Sequence, residues 1–135
     1  MPTENERRQT AERFAAALDR DDFGEASELL AWDCRYEISN TEALLGPAAI
    51  VGSYRAHSER AKQSFDEVSY ESQVETEKDG AIPVLFIDKI RKGSRHHVYS
   101  CRQFVSINAA NRITKIRHEE LQGERERLRR FLEET

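Results

Sequence analysis

The amino-terminal half of the chain repeats its apolar residues three and four positions apart, with charged residues between them. Side chains at this spacing share one face of a helix, so the pattern predicts amphipathic helices. Asp21-Asp22 offers an N-terminal cap for the second helix, and Gly46-Pro47 opens the third, because proline suits the first helical position. The predicted helices cover residues 3–20, about 23–31 and 47–62.

Other segments alternate apolar and polar residues, which is the pattern of half-buried β-strands. Turn signals such as Asp79-Gly80 and Gly93-Ser94 separate the later segments. Connections this short predict an antiparallel meander, because each strand must turn back beside the one before it. The predicted strands are residues 34–38, 65–78, 82–92, 95–108 and 112–121, with a loop at 39–46 and a final helix at 124–134.

Together these elements predict an α+β fold, in which amino-terminal helices pack against an antiparallel or mixed sheet and a short helix ends the chain. The 135 residues suffice for one hydrophobic core, and we find no internal repeat or linker-like stretch. We therefore predict a single domain that spans residues 1–135.

Asp88 interrupts the most apolar of the predicted strands. It falls on the same face as Val84, Phe86 and Ile90, so a carboxylate is expected where the sequence predicts burial. A buried charge must find a partner, shift its pKa or line a wet cavity. The pattern therefore indicates a pocket beside Asp88.

The register of the two longest strands depends on the turn between them. A turn centred on Gly93-Ser94 places Asp88 opposite Tyr99, whereas a turn one residue earlier places it opposite His97. Both turns give the same inner face, and the alternation carries on through the last strand. The predicted pocket residues are Trp32, Tyr36, Tyr54, Phe86, Asp88, His97, Tyr99, Cys101, Ile116, His118 and Glu120.

Composition narrows the expected partners and location. The chain has 21 Lys and Arg against 25 Asp and Glu, a net charge of -4, and the two signs are interspersed. Nucleic acid is therefore not an expected partner. The sequence shows neither a secretion signal nor an apolar stretch long enough to span a bilayer, which predicts a cytoplasmic protein without a membrane partner.

The cysteines and histidines do not form a metal-binding motif. Cys34 and Cys101 lack CxxC spacing and are predicted to be buried thiols. His96 and His97 are adjacent on one strand, so their side chains point to opposite faces and cannot easily hold one ion. We expect neither a metal nor a cofactor.

The order of the elements resembles the nuclear transport factor 2 superfamily, particularly its SnoaL-like and ketosteroid-isomerase-like branches. The resemblance spans about residues 8–121 and is carried by Asp21-Phe23, Gly46 to Ile50 and Arg112 to Ile116. It implies a strongly curved sheet that wraps around the long helix into a cone, with a pocket inside the cone. It also implies a homodimer formed through the outer face of the sheet.

The chain departs from familiar members of this superfamily in two places. The terminal segment, residues 123–134, extends beyond the usual last strand and is expected to cover a pocket end or to join the dimer contact. SnoaL-like proteins often close the last strand with an acidic residue, whereas Leu121 occupies that position here. The resemblance therefore transfers the fold but no catalytic acid.

One functional hypothesis is a cofactor-independent isomerase or dehydratase that acts on a small, largely apolar molecule. Asp88 would serve as general base, or would orient His118 or His97, and a tyrosine hydroxyl such as Tyr99 would stabilise an oxyanion. Scytalone-dehydratase-like members also use tyrosines, histidines and an aspartate around a pocket. This hypothesis requires Asp88 and His118 within hydrogen-bond reach of each other in one cavity.

The alternative hypothesis is a ligand-binding or protein-interaction module without turnover, since the superfamily includes isomerases, dehydratases, hydrolases, cyclases and non-catalytic members. In this interpretation Asp88 is a structural group, paired with Lys89, Arg91 or Arg102 or hydrogen-bonded to a tyrosine. In either case the expected partner is a small molecule. A fully packed cone interior would instead favour a protein-interaction role.

Overall fold

The helices and strands follow the predicted order. The structure, a computed structural model, describes residues 1–134. Of the helices in this range, none combines the length and apolar character that crossing a membrane requires. The elements are α1 (Glu4–Asp19), α2 (Phe23–Glu28), β1 (Leu30–Glu37), β2 (Leu44–Leu45), α3 (Pro47–Ser64), β3 (Glu67–Val74), β4 (Ile82–Lys92), β5 (Arg95–Ile107), β6 (Ile113–Glu120) and α4 (Glu124–Glu133).

Local caps determine where the first three helices begin. The Thr3 hydroxyl accepts a hydrogen bond from the Glu6 N–H, and the Glu6 carboxylate accepts one from the Thr3 N–H, which completes a capping box. The Asp22 side chain caps α2. Gly46 has a φ of 84°, a conformation that favours glycine, and α3 begins directly after it at Pro47.

A six-stranded mixed sheet carries the fold, with the strand order β2-β1-β6-β5-β4-β3. β1 runs parallel to β6, and the other neighbouring pairs are antiparallel. The sheet is curved, and the amino-terminal helices pack against its inner face. The predicted α+β fold, with its curved mixed sheet and short terminal helix, is confirmed.

The turn between β4 and β5 sets the register of the inner face. Gly93 and Ser94 form a two-residue turn, in which Gly93 takes a positive φ of 61°. This register places Asp88 opposite Tyr99. The alternative turn, which would place Asp88 opposite His97, is wrong.

The first two strands differ from the prediction. α2 ends at Glu28, and β1 begins at Leu30, earlier than predicted, because Leu30 already pairs with Ile113 of β6. The register between β1 and β6 then shifts between Leu30 and Arg35, which interrupts the alternation of side chains. β2 (Leu44–Leu45) is a two-residue strand inside the predicted loop, and it pairs with β1.

The core packs α1 and α3 against the inner face of the sheet. Phe14, Ile50, Val105, Ile113 and Ile116 are each 0% exposed. Burying a large apolar side chain contributes about 1.5–3 kcal/mol, so these contacts are a main source of stability. The core leaves part of the inner face uncovered, and the cavity lies there.

α4 packs against the beginning of β5. The Phe131 ring stacks on the His97 ring, with 5.0 Å between the ring centroids. The Arg95 guanidinium lies 5.0 Å from the centroid of the same phenyl ring. Arg125, at the start of α4, also lines the cavity, so the terminal helix contributes to the site.

Candidate active site

A cavity of about 440 Å³ lies between the inner face of the sheet and the helices α1 and α3. This volume suits a small molecule. Its wall combines apolar groups, such as Leu18 and Phe23, with a larger number of polar groups. Eight of the predicted pocket residues line it: Tyr36, Tyr54, Phe86, Asp88, Tyr99, Cys101, His118 and Glu120.

Three predicted pocket residues lie elsewhere. Trp32 is 85% exposed, because the irregular pairing at the start of β1 breaks the alternation that would have turned it inward. His97 lies beneath α4, where it contacts Phe131. Ile116 is fully buried in the core and faces Val105 across the strand pair.

Gln103 is the polar centre of the cavity wall, and the sequence prediction missed it. Its Oε1 accepts a hydrogen bond from the Tyr54 hydroxyl at 2.5 Å, and its Nε2 donates to the Tyr36 hydroxyl oxygen at 3.1 Å. The same Nε2 lies 3.2 Å from Nδ1 of His118. Strict alternation along β5 places Gln103 on the inner face, so side-chain parity was the signal that could have found it.

Glu120 accepts three hydrogen bonds at the edge of the cavity. Its donors are the Tyr99 hydroxyl at 2.7 Å, the Arg125 guanidinium at 2.9 Å and Nε2 of His118 at 3.2 Å. Burial alone would raise the pKa of Glu120, but these hydrogen bonds outweigh burial and lower it. Glu120 is therefore ionised at neutral pH and acts as an acceptor.

His118 is held by both of its ring nitrogens. Because Glu120 can only accept, the neutral His118 ring carries its proton on Nε2, and Nδ1 then accepts from the Gln103 amide. Asp88 lines the same cavity, but it takes part in neither of these hydrogen bonds. The predicted hydrogen bond between Asp88 and His118 is not formed, because both nitrogens already have partners.

A second polar cluster joins α3, β3 and the segment after α1. The Ser58 hydroxyl donates to Asp21 at 2.9 Å, and Lys62 pairs with the same carboxylate. Since the single proton of Ser58 goes to Asp21, the Tyr70 hydroxyl, 3.1 Å away, donates to Ser58. Contacts between a helix and a distant strand leave no local pattern, so this cluster could not be predicted from the sequence.

Asp88 has a cavity-facing carboxylate with few partners. Its side chain is 22% exposed, and Nε2 of the exposed His57 lies 3.6 Å from its Oδ2. Alternation places the predicted ion-pair partners of Asp88 on the outer face of the sheet, so those pairs are not formed. Instead, Lys89 pairs with Glu71, Arg91 with Glu67, and Arg102 with Glu75.

Asp19 is a further cavity-lining carboxylate that the sequence prediction missed, because it lies at the end of a predicted helix, where strand alternation does not apply. Its Oδ2 accepts a hydrogen bond from the Ser72 hydroxyl at 2.6 Å, whereas its buried Oδ1 has no partner among residues 1–134. Burial raises the pKa of Asp19, the hydrogen bond from Ser72 opposes this shift, and the negative charges of Asp88 and Glu71 add to it.

We expect Asp19→Asn to raise the melting temperature at pH 7 by a few degrees. The pKa of Asp19 is higher in the folded than in the unfolded protein. The protonated carboxyl group therefore stabilises the fold below the unfolded-state pKa of about 3.9, and this contribution is lost as the pH rises through the folded-state pKa. The neutral amide removes this penalty and can still accept from Ser72. Scanning calorimetry between pH 7 and about pH 4 checks this, since the gain should shrink towards acid. Exposed Asp33→Asn is the control, and an equal gain there would contradict the explanation.

The two cysteines remain protonated at neutral pH. Burial raises the pKa of Cys101 to about 12, and the negative charge of Asp88 adds to the effect. Burial likewise raises the pKa of Cys34 to about 12. Neither thiol is therefore a ready nucleophile. Within residues 1–134, no three His, Cys, Asp or Glu side chains converge closely enough to hold a metal ion.

Solved structures of low sequence identity share this architecture. An LEH-like epoxide hydrolase from M. tuberculosis matches with a TM-score of 0.66 and 18% identity, over 92% of this chain and 84% of that one. A protein described as a polyketide cyclase from Xanthomonas campestris matches with a TM-score of 0.67 and 13% identity, over 96% of both chains. A de novo designed protein with a curved β-sheet matches with a TM-score of 0.65 and 15% identity, over 99% of this chain and 100% of that one.

These likenesses establish the class of fold. The chain has the cone fold of the nuclear transport factor 2 superfamily, in which SnoaL-like proteins are found. No protein-family model matches the sequence, and no curated protein matches it either. Because natural enzymes and a designed protein share the cone, the fold does not assign an activity, and the function must be argued from the cavity.

Proposed function

We propose that this protein is a cofactor-independent acid–base catalyst that enolises a small, largely apolar carbonyl compound, as a step in isomerisation or dehydration. The observation that carries the proposal is Asp88, a carboxylate on the wall of a 440 Å³ cavity, with Nε2 of His57 3.6 Å from its Oδ2. A carboxylate with unused acceptor capacity in such a position is suited to accept a proton.

In this reaction Asp88 acts as general base. It takes a proton from the carbon next to the carbonyl group, the C–H electron pair forms the enolate double bond, and negative charge collects on the carbonyl oxygen. A hydrogen-bond donor on the cavity wall must stabilise that oxygen. Phe86, which flanks Asp88 on the inner face, provides apolar contact for the rest of the ligand.

The proposal differs from the sequence-based hypothesis in that Asp88 acts without a hydrogen bond to His118, which is assigned a positioning role. Its Nδ1 accepts from Gln103 and its Nε2 donates to Glu120, so no lone pair remains for a substrate proton. The ring holds the Gln103 amide in one orientation. The enzyme names of two fold neighbours, an epoxide hydrolase and a polyketide cyclase, are compatible with a cone that performs chemistry on small molecules.

Proton exchange tests the proposal without knowledge of the natural substrate. The probe is 4-phenylbutan-2-one in D₂O, and NMR follows the loss of the protons next to its carbonyl group. We expect the protein to accelerate exchange above the rate in buffer with an equal concentration of acetate. A panel of aryl, alicyclic and linear ketones extends the test. Binding without exchange across the panel would instead favour a ligand-binding module without turnover.

We also propose that the protein forms a homodimer through the outer face of the sheet. Val98 is 52% exposed on the outer face of β5, opposite Lys89, and partly buried Ile87, Leu85 and Phe104 lie further along the same face. Apolar groups exposed on one face of a sheet suit a contact between copies. The family resemblance implies the same arrangement.

Val98→Glu is expected to weaken dimerisation at least ~10-fold, because it places a charge in a contact that both copies would bury. Light scattering coupled to size-exclusion chromatography measures the mass over a range of concentrations. Leu45→Glu is the matched control, since Leu45 is 62% exposed but belongs to the short edge strand. A monomeric wild-type protein, or equal dissociation of both variants, would refute this dimer.

A further inference from the structure

The tyrosine hydroxyls of the cavity differ in where their protons go. Each hydroxyl has one proton to donate, and three of the four tyrosines give that proton to a protein acceptor within residues 1–134. Their acceptors are Gln103 for Tyr54, Glu120 for Tyr99 and Ser58 for Tyr70. These three hydroxyls are therefore already committed to protein partners.

Tyr36 is the exception. Its hydroxyl oxygen accepts a hydrogen bond from Nε2 of Gln103 at 3.1 Å, but no acceptor for its own proton lies in the described part of the chain. The residue is 8% exposed and lines the cavity. A buried donor without an acceptor is costly, and at a cavity wall a ligand can supply the acceptor.

The orientation of the Gln103 amide fixes the direction of this hydrogen bond. Ionised Glu120 accepts from Nε2 of His118, so Nδ1 of that ring accepts and Gln103 must present its NH₂ group. The same NH₂ group donates to Tyr36, and the amide oxygen is occupied by Tyr54. Tyr36 therefore cannot give its proton to Gln103.

We propose that Tyr36 donates its hydroxyl proton in a hydrogen bond to an oxygen atom of the ligand, and that Gln103 positions Tyr36 for this contact. The ligand class is thus a small apolar molecule with a carbonyl or enolate oxygen at its deeper end. The catalytic part of this assignment rests on the proposed function, in which Tyr36 becomes the oxyanion-stabilising residue. It replaces Tyr99, whose proton already goes to Glu120.

The surroundings of Tyr36 keep its hydroxyl protonated and make it a stronger hydrogen-bond donor. Burial raises the pKa of Tyr36, the nearby Cys101 and Glu120 add to this shift, and the hydrogen bond from Gln103 opposes it only in part. The hydroxyl therefore keeps its proton at neutral pH. Accepting a hydrogen bond from Gln103 polarises the O–H group, which makes it a better donor. As Asp88 removes the carbon-bound proton, this donor stabilises the negative oxygen.

The test uses 4-phenylbutan-2-one labelled with ¹³C at its carbonyl carbon. In the wild-type complex we expect the carbonyl resonance to move downfield, as it does when a ketone oxygen accepts a hydrogen bond. Tyr36→Phe should abolish this displacement and slow proton exchange by about 10²- to 10³-fold in kcat. Tyr70→Phe is the matched control, because it removes a cavity hydroxyl whose proton is already used.

The outcomes separate this assignment from the proposed function. If the carbonyl resonance of the ketone bound to Tyr36→Phe is the same as in the wild-type complex, the assignment of Tyr36 is overturned. This holds even where proton exchange persists and the proposed function survives. If the carbonyl resonance moves downfield in the wild-type complex and does not move in Tyr36→Phe, the assignment of Tyr36 is supported. This holds even where no proton exchange occurs and the proposed catalysis fails. If Tyr36→Phe does not fold, wild-type binding decides instead. The ketone should bind at least ~10-fold more tightly than butylbenzene, which lacks the oxygen, and equal affinities or no ketone binding count against the assignment.

Discussion

Asp88→Asn should slow the exchange of protons from bound 4-phenylbutan-2-one by about 10²- to 10⁴-fold, the usual contribution of a general base. The amide has nearly the shape of the carboxylate, but it cannot accept the proton. The carboxylate makes few contacts with the protein, with Nε2 of His57 3.6 Å from its Oδ2, so the substitution should leave the fold intact. The loss should therefore appear in kcat, with KM changed little.

Glu71→Gln is the control for this variant. Glu71 is an exposed carboxylate of β3 that pairs with Lys89, so the substitution removes the same charge close to the site without removing the base. Near-UV circular dichroism verifies the packing of both variants. An Asp88→Asn protein that exchanges protons at the wild-type rate would show that Asp88 is not the base.

Gln103→Leu should destabilise the protein by about 2–4 kcal/mol, because it removes the common partner of three buried or partly buried polar groups. Leucine has a similar volume, so the loss reports missing hydrogen bonds rather than a cavity. The groups left without their partner are the Tyr54 hydroxyl, the Tyr36 hydroxyl oxygen and Nδ1 of His118. Urea denaturation measures the change in the free energy of unfolding.

Gln73→Leu provides the matched comparison for Gln103→Leu. Gln73 is exposed on β3, and its replacement should change the free energy of unfolding by less than about 0.5 kcal/mol. Gln103→Leu should also slow proton exchange, since Tyr36 loses the amide that positions it. A Gln103→Leu protein as stable as the wild type would mean that its three partners find other hydrogen bonds.

The sequence predicted the sheet best where the turn chemistry was explicit. Gly93-Ser94 determined the pairing of β4 with β5, and simple alternation then placed Asp88, Tyr99 and Cys101 on one face. The prediction that Trp32 faces inward was wrong, because the irregular pairing of β1 with β6 depends on a strand more than eighty residues away along the chain.

The site was predictable in its location but less so in its connections. Alternation finds which side chains face inward, yet it does not reveal which proton goes to which acceptor. Gln103 lay on the predicted face but was passed over, since a glutamine among apolar residues resembles a surface position. Asp19 and Ser58 could not have been found by strand parity, because they reach the cavity from helices whose orientation depends on tertiary packing.

The parallel pairing of β1 with β6 has a consequence for how the protein is made. Leu30 takes its place in the sheet only beside Ile113, and Tyr36 only beside Ile116, so the first long strand must wait for the last. Pairings so distant along the chain form slowly, because a long loop must close before any contact rewards it. During synthesis the helices and β1 therefore leave the ribosome with their apolar faces unpaired. Unpaired apolar faces make a partly folded chain prone to misassembly, and the cavity, whose wall includes Tyr36 and His118, is complete only once β6 has joined the sheet.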